Sequence, residues 1–264
     1  MTQTPASDQQ TALVTGASSG IGVDFARELA GRGFDLILAA RRVDRLENLR
    51  AELTEEFGVT VDVLAADLSS RAGAEKLHRD VQGLSRPVNM LVNNAGLGRF
   101  GPTLNQSVDE LDEMIQLNVT SLTVLTRLFA ADFKQQGGGY ILNHASFSAI
   151  QPPAHYSVYA GTKAYVLAFS QALNQDVRGD GIRVTALCPG FFTSEFLTKA
   201  QQDPGLIVKL IMLKPRAVAR AGIRSVLRGK PVIIPGVGFK LLNLVLRLAP
   251  RSFATGLADF ALKY

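Results

Sequence analysis

The chain has 264 residues, 47% of them hydrophobic and 19% charged, which suits one compact domain, or at most two, around a large core. Its formal net charge is +5, but the basic residues are scattered rather than blocked, so no nucleic-acid partner is expected. The single cysteine, Cys188, excludes an intrachain disulfide and a cysteine-built metal cluster, and three histidines give little basis for a zinc site.

Residues 1–10 read as a flexible polar arm without a basic leader signature. Thr11–Thr15 is a short apolar run that stops at Gly16, as a buried parallel strand does. Then come Gly16-Ala-Ser18-Ser19-Gly20-Ile21-Gly22, a helical pattern with Ile21, Phe25 and Leu29 on one face, and a second strand over Phe34–Ala40. A strand, a glycine-rich turn, a helix and a strand form the unit that binds a dinucleotide. Glycines let the backbone approach the pyrophosphate, which rests on the N–H groups at the helix N-terminus. The spacing, Gly-x-x-x-Gly-x-Gly, differs from the commoner Gly-x-Gly-x-x-Gly. An NAD site needs a carboxylate after the second strand, but here Ala40 is followed by Arg41 and Arg42. Guanidinium groups suit the 2′-phosphate and adenine of NADP, so NADP(H) is expected over NAD(H). In the plainer alternative, Arg42 merely opens the next helix in solvent.

Val43–Phe57 is an amphipathic helix with Leu46, Leu49, Leu53 and Phe57 on one side. Val59–Ala66 reads as a third strand, leaving Asp67 and Leu68 at its carboxyl end, where open α/β sheets bind ligands. Asp67 either accepts from an adenine amino group or caps a helix starting at Ser69. Val88–Asn93 is a fourth strand, followed by Asn94-Ala95-Gly96, which fits a turn pressed against a ribose and is also ordinary turn chemistry. The next loop carries Arg99 and Phe100 and can border a substrate. A helical region over about 107–136 contains Asn118, a poor residue for a buried helix interior. Its presence predicts a helix distortion, a bound water or a polar network.

Tyr140–Ala145 is a fifth strand ending at Ser146, whose hydroxyl can donate to a substrate oxygen or simply start a turn. His144 and His155 have no nucleophile or ligand set beside them and read as structural or solvated. Tyr159-Ala-Gly-Thr-Lys163 opens a helix and places a phenol and an ammonium on one face. A free phenol has a pKa of about 10. A lysine charge ~4 Å away, at an effective dielectric of ~20, is worth on the order of 4 kcal/mol and lowers that value by up to about 3 pH units. The phenol would then work as a general acid/base. By itself Tyr-x-x-x-Lys also arises by chance. Val184–Cys188 is a sixth strand, with Cys188 a small core residue.

Together Thr15-Gly-Ala-Ser-Ser-Gly20-Ile-Gly22, Asp67, Asn93-Asn-Ala-Gly96, Asn118, Ser146, Tyr159-x-x-x-Lys163 and Pro189-Gly190 resemble, in order and spacing, the compact short-chain dehydrogenase/reductase family over roughly residues 10–200. The resemblance implies a Rossmann-like doubly wound parallel sheet of about seven strands with helices on both faces. It implies an oxidoreductase passing a hydride between NADP(H) and a carbonyl or secondary alcohol. Tyr159 would exchange the proton, Lys163 would tune it and hold the ribose, Ser146 would orient the carbonyl, and Asn118 would hold a relay water. Pro189, Gly190, Phe192 and Ser194 would close on the nicotinamide. Phe192 replaces a branched aliphatic residue and Ser194 a threonine.

The catalytic domain is expected over residues 11–236, with a substrate lid at about 191–215. The apolar run Phe196–Leu213 suits a hydrophobic substrate or, equally, a packed helix pair or subunit contact. Arg216–Gly229 reads as a basic helix and Val232–Ile234 as a seventh strand. Residues 237–264 form a helical extension, apolar nearly all round before Pro250. It suits an oligomer contact or substrate cover, with peripheral membrane attachment as the alternative. No uninterrupted apolar run reaches the roughly 20 residues that span a bilayer. A cytoplasmic homodimer or homotetramer acting on a small molecule is expected. A non-catalytic NADP sensor is a second reading, which an intact Ser146, Tyr159 and Lys163 argue against. A sugar-nucleotide epimerase is a third, disfavoured by the glycine spacing and the short C-terminal region.

Overall fold

The computed structural model describes residues 10–84, 86–192 and 212–248. The short apolar runs become strands because helices cover both of their faces. β1 (Thr11–Thr15) and β2 (Asp35–Ala40) are buried along their whole length. β3 (Val61–Ala65), β4 (Met90–Asn93), β5 (Gly139–His144), β6 (Ile182–Leu187) and β7 (Val232–Ile233) complete the sheet. Its order is β3-β2-β1-β4-β5-β6-β7 and each pairing is parallel. This is the Rossmann-like doubly wound sheet that the motifs imply.

Side-chain alternation divides the core into two layers. Ala12, Val14, Leu36 and Leu38 face α1 (Ile21–Ala30), α2 (Val43–Phe57) and α7 (Pro215–Leu227). Leu13, Ile37, Leu91 and Ile141 face α3 (Arg71–Gln82) and α5 (Leu122–Gln135). Between these last two, α4 (Val108–Ile115) continues through a π-helical turn, Gln116–Ser121, into α5. The unbroken helical run Val108–Gln135 is long and apolar enough to cross a bilayer by length and composition. Charged and polar residues interrupt it, so it is not the uninterrupted apolar run whose absence was expected. Here it is an inner helix, packing Leu125, Phe129 and Phe133 against the sheet.

Strand boundaries shift by one or two residues from those expected, β2, β3 and β4 starting later and β6 earlier, at Ile182. β1 pairs with β2 on one side and β4 on the other. The chain therefore reverses its direction of travel across the sheet there, opening a crevice at the strands' carboxyl ends. α6 (Ser157–Asp176) turns Ala160, Thr162, Lys163, Val166 and Ser170 inward. α8 (Val237–Leu248) buries Phe239 but leaves Val237, Leu241, Leu244 and Val245 exposed. The expected lid, apart from its two ends at 191–192 and 212–215, and the second tail helix lie outside the described residues. So does Ser194.

Candidate active site

The turn after β1 is shaped for close backbone approach. Gly16 has φ +66°, and a Cβ there would stand 2.9 Å from the Ala95 Cα, so the turn is pressed against the end of β4. A Cβ on Gly22 would collide with the Gly16 carbonyl. Gly20, with φ +57°, faces open space at the start of α1, followed by Ile21. No side chain caps the N-terminus of α1, whereas Ser70 caps α3 and Ser107 caps α4. An uncapped helix N-terminus behind a glycine turn fits a pyrophosphate.

Arg42 is half-buried and folds back over this turn, its Nη2 donating to Ser19 Oγ at 2.6 Å and to Ser18 Oγ at 3.3 Å. The serines of the glycine-rich turn therefore aim the guanidinium. Arg41 is exposed beside it. Asp67 is exposed and accepts from Ser69 N at 3.0 Å. It is not the cap of α3, which starts at Arg71 behind Ser70. Leu68 is buried, and its carbonyl accepts from Ser121 Oγ at 2.6 Å, tying this loop to the π turn.

Asn94 is a strut. Its Nδ2 donates to the carbonyls of Thr15 at 2.9 Å and Gly16 at 3.3 Å, while Thr15 Oγ1 accepts from the N–H groups of Asn94 and Ala95. Its amide is thus committed to β1, and any ribose contact from this segment falls to its backbone or to Gly96. Because Asn94 Nδ2 is the donor there, its Oδ1 accepts from His144 Nδ1 at 3.1 Å, which fixes the tautomer of His144. Burial, with the Lys163 charge, pushes His144 down to about 3, so it is neutral and structural.

Asn118 has two of the three consequences offered for its unfavourable position, a helix distortion and a polar network. It lies in the π turn, is 1% exposed, and accepts from Leu97 N at 2.8 Å. Its Nδ2 donates to Leu97 O at 2.7 Å and to Thr162 Oγ1 at 3.1 Å. With both amide hydrogens used, the side chain clamps the Gly96–Leu97 backbone. A Cβ on Gly96 would stand 3.3 Å from Asn118 Oδ1 and 3.4 Å from Lys163 Nζ. Lys163 donates to the His144 carbonyl at 2.7 Å and lies 5.7 Å from the centre of the Tyr159 ring. Ser146 accepts from Ser148 N at 3.1 Å, and its hydroxyl hydrogen-bonds the Tyr159 phenol. Pro189 accepts from Phe147 N at 2.8 Å, and Phe192 pairs with Leu213 beside the His144 ring. The crevice thus gathers the glycine turn, Gly96, Asn118, Ser146, Tyr159 and Lys163 around one space.

A sequence profile of the short chain dehydrogenase family matches residues 10–205. The chain belongs to the short chain dehydrogenase family. It is 31% identical to the very-long-chain 3-oxoacyl-CoA reductase of Bos taurus over 84% of its own length and 71% of that protein's. It spans about 60% of the human relative of the same name. Among solved structures, a short-chain dehydrogenase from Sphingobium yanoikuyae in complex with NADPH is 34% identical, with a TM-score of 0.80 over 90% of this chain and 93% of that one. A bulky-bulky ketone specific alcohol dehydrogenase from Comamonas testosteroni is 31% identical, with a TM-score of 0.77 over 91% and 93%.

In this short chain dehydrogenase, burial governs the tuning of the phenol. The lowering expected from Lys163 is overturned: burial pushes Tyr159 up to about 12, and the influence working against it is the Ser146 hydrogen bond. The ammonium faces the ring while hydrogen-bonding a carbonyl, and is itself pushed down to about 8 by burial. Burial also holds Cys188 at about 12, a neutral core thiol. The bracing roles of Thr15, Thr162 and the His144 carbonyl were not legible in the sequence because they arise only from contacts between distant segments.

Lys163 binds fewer protons folded than unfolded between about pH 8 and its ordinary 10.5, so it makes stability rise with pH there, by about 1 kcal/mol per pH unit. Cys188 and Tyr159 act in the opposite sense above their ordinary values of 9 and 10, which leaves pH 8–9 as the clean window. Urea unfolding at the two ends of that window should show wild type gaining about 1 kcal/mol relative to Lys163→Met. Equal changes in the two proteins would contradict a desolvated ammonium.

Proposed function

We propose that this oxidoreductase is an NADP(H)-dependent enzyme that interconverts an apolar ketone and its secondary alcohol, working as a carbonyl reductase. The observation that carries this reading is the Ser146 hydroxyl paired with the Tyr159 phenol, with Lys163 beneath the ring and the dinucleotide crevice alongside. Bound NADPH supplies the hydride. Tyr159, protonated at neutral pH, gives its proton to the carbonyl oxygen as charge develops there. Ser146 donates a hydrogen bond to the same oxygen, fixing its direction. Lys163, charged below about pH 8, offsets the phenolate left behind. Asn118 acts by clamping Leu97 and Thr162; a relay water held beside it remains part of the reading.

The relatives' names support an apolar carbonyl substrate, with 3-oxoacyl thioesters and bulky ketones as the leading classes. Phe100, 37% exposed, stands against Tyr156, whose ring leads on to Tyr159, and gives this chain an aromatic wall beside the reacting position. The NADPH complex of the Sphingobium protein and the placement of Arg42 support NADP(H) over NAD(H). A cytoplasmic homodimer or homotetramer is retained in this proposal, with the exposed apolar side of α8 as its contact surface.

Tyr159→Phe removes the proton donor and leaves the dinucleotide contacts, so turnover should fall at least about a thousandfold while NADPH still binds. Near-normal rates would end the mechanism. Arg42→Ala should lower kcat/KM with NADPH by about 10- to 100-fold, the worth of a lost charge-assisted hydrogen bond, and leave NADH almost unchanged. Equal losses with both cofactors would remove Arg42 from 2′-phosphate recognition.

A further inference from the structure

Phe239 belongs to no motif and stands in α8, in the C-terminal extension, yet it is 3% exposed. Its ring meets that of Phe147 at 5.3 Å between centroids and 60° between planes. It also lies against Gly190. A Cβ built on Gly190 would stand 2.1, 2.2 and 2.4 Å from its three nearest atoms, all of them Phe239 ring carbons. Gly190 does not have a left-handed backbone, so its conformation admits an alanine; the ring does not. Phe147 and Gly190 lie on two segments joined by the Phe147 N to Pro189 O hydrogen bond of 2.8 Å. One segment is the turn that starts at Ser146, and the other is the Pro189–Gly190 loop after β6. Ile150, Phe191, Leu213, Ile234 and Leu242 pack around the same pair of rings.

We infer that Phe239 is a positioning residue for the reaction. Its ring holds the Ser146 turn and the Pro189–Gly190 loop at a fixed separation, and in this chain it leaves no room for a side chain at position 190. α8 is therefore part of the catalytic unit. The inference rests on the carbonyl-reductase reading for its effect on rate, but the contact itself can be tested without turnover.

The experiment is a double-mutant cycle on the full chain: wild type, Gly190→Ala, Phe239→Ala and the double variant. The readouts are kcat and KM for carbonyl reduction and, separately, NADPH affinity by fluorescence titration. Each single variant should lose about 10- to 100-fold in kcat, because small displacements of a positioned group are costly, with KM for the carbonyl changing less. NADPH affinity should also fall in Gly190→Ala. In the double variant the added methyl enters the space vacated by the ring, so kcat and NADPH affinity should rise above those of Gly190→Ala alone by about tenfold. If the double variant loses the product of the two single losses, the glycine answers to the cofactor alone and the inference is overturned. Should Phe239→Ala fail to fold, Phe239→Leu, which keeps much of the apolar volume, takes its place in the cycle with the same outcomes. A wild type that binds NADPH but turns over no carbonyl would defeat the proposed function, while rescue of NADPH affinity in the double variant would still decide the clamp.

Discussion

Burying an ammonium beneath a phenol is the constraint on which the site depends. Lys163 is 4% exposed, and an amine in such a place must find a partner or lose its charge. Its partner is the carbonyl of His144, at the end of β5, so the charge is pinned to the sheet. That contact sets the depth of α6 against β5 and hence the position of Tyr159 one turn earlier. His144 stays neutral beside it and binds Asn94, which holds the ends of β1 and β4 together. A single buried charge thus links the three strand ends around which the crevice is built.

The same economy appears on the other side of the space. The π turn lets Asn118 leave the regular helical ladder and bond both backbone groups of Leu97, bringing the Gly96 backbone close to the lysine. π turns inside longer helices often accompany functional sites, and here the extra residue places an amide where an α-helix would put apolar side chains. Ser121, at the end of that turn, reaches back to Leu68 at the carboxyl end of β3. The carboxyl end of β3 and the Gly96–Leu97 backbone are therefore braced from one helix.

Much of this is legible in the sequence, and the failures have physical causes. α2 runs from Val43 to Phe57 as expected because its leucine stripe is clear and Gly58, in the left-handed region, ends it. Asn118 signalled its own distortion because a buried amide in an apolar helix needs partners. The pairing of Tyr159 with Lys163 was legible from helical spacing, but the sign of the phenol's shift was not. Spacing reports the distance to a charge and says nothing of the burial that outweighs it. Of the two roles open to Asp67, the cap falls because Ser70, closer to the helix start, takes that place. Arg42 gave its charge away in sequence but not its serine partners. Phe239 left no signal at all, being one more aromatic in an apolar helix until the chain brings it over Gly190.

In the proposed function this crevice delivers a hydride to a carbonyl carbon while Tyr159 supplies the proton. The most direct test is reduction of a 3-oxoacyl thioester or a bulky ketone with NADPH carrying deuterium at the transferable C4 position, followed by mass spectrometry of the alcohol. One deuterium is expected on the carbinol carbon of the product, retained when the reaction is run in ordinary water. Alcohol formed without that deuterium, with either face of the cofactor labelled, would contradict it.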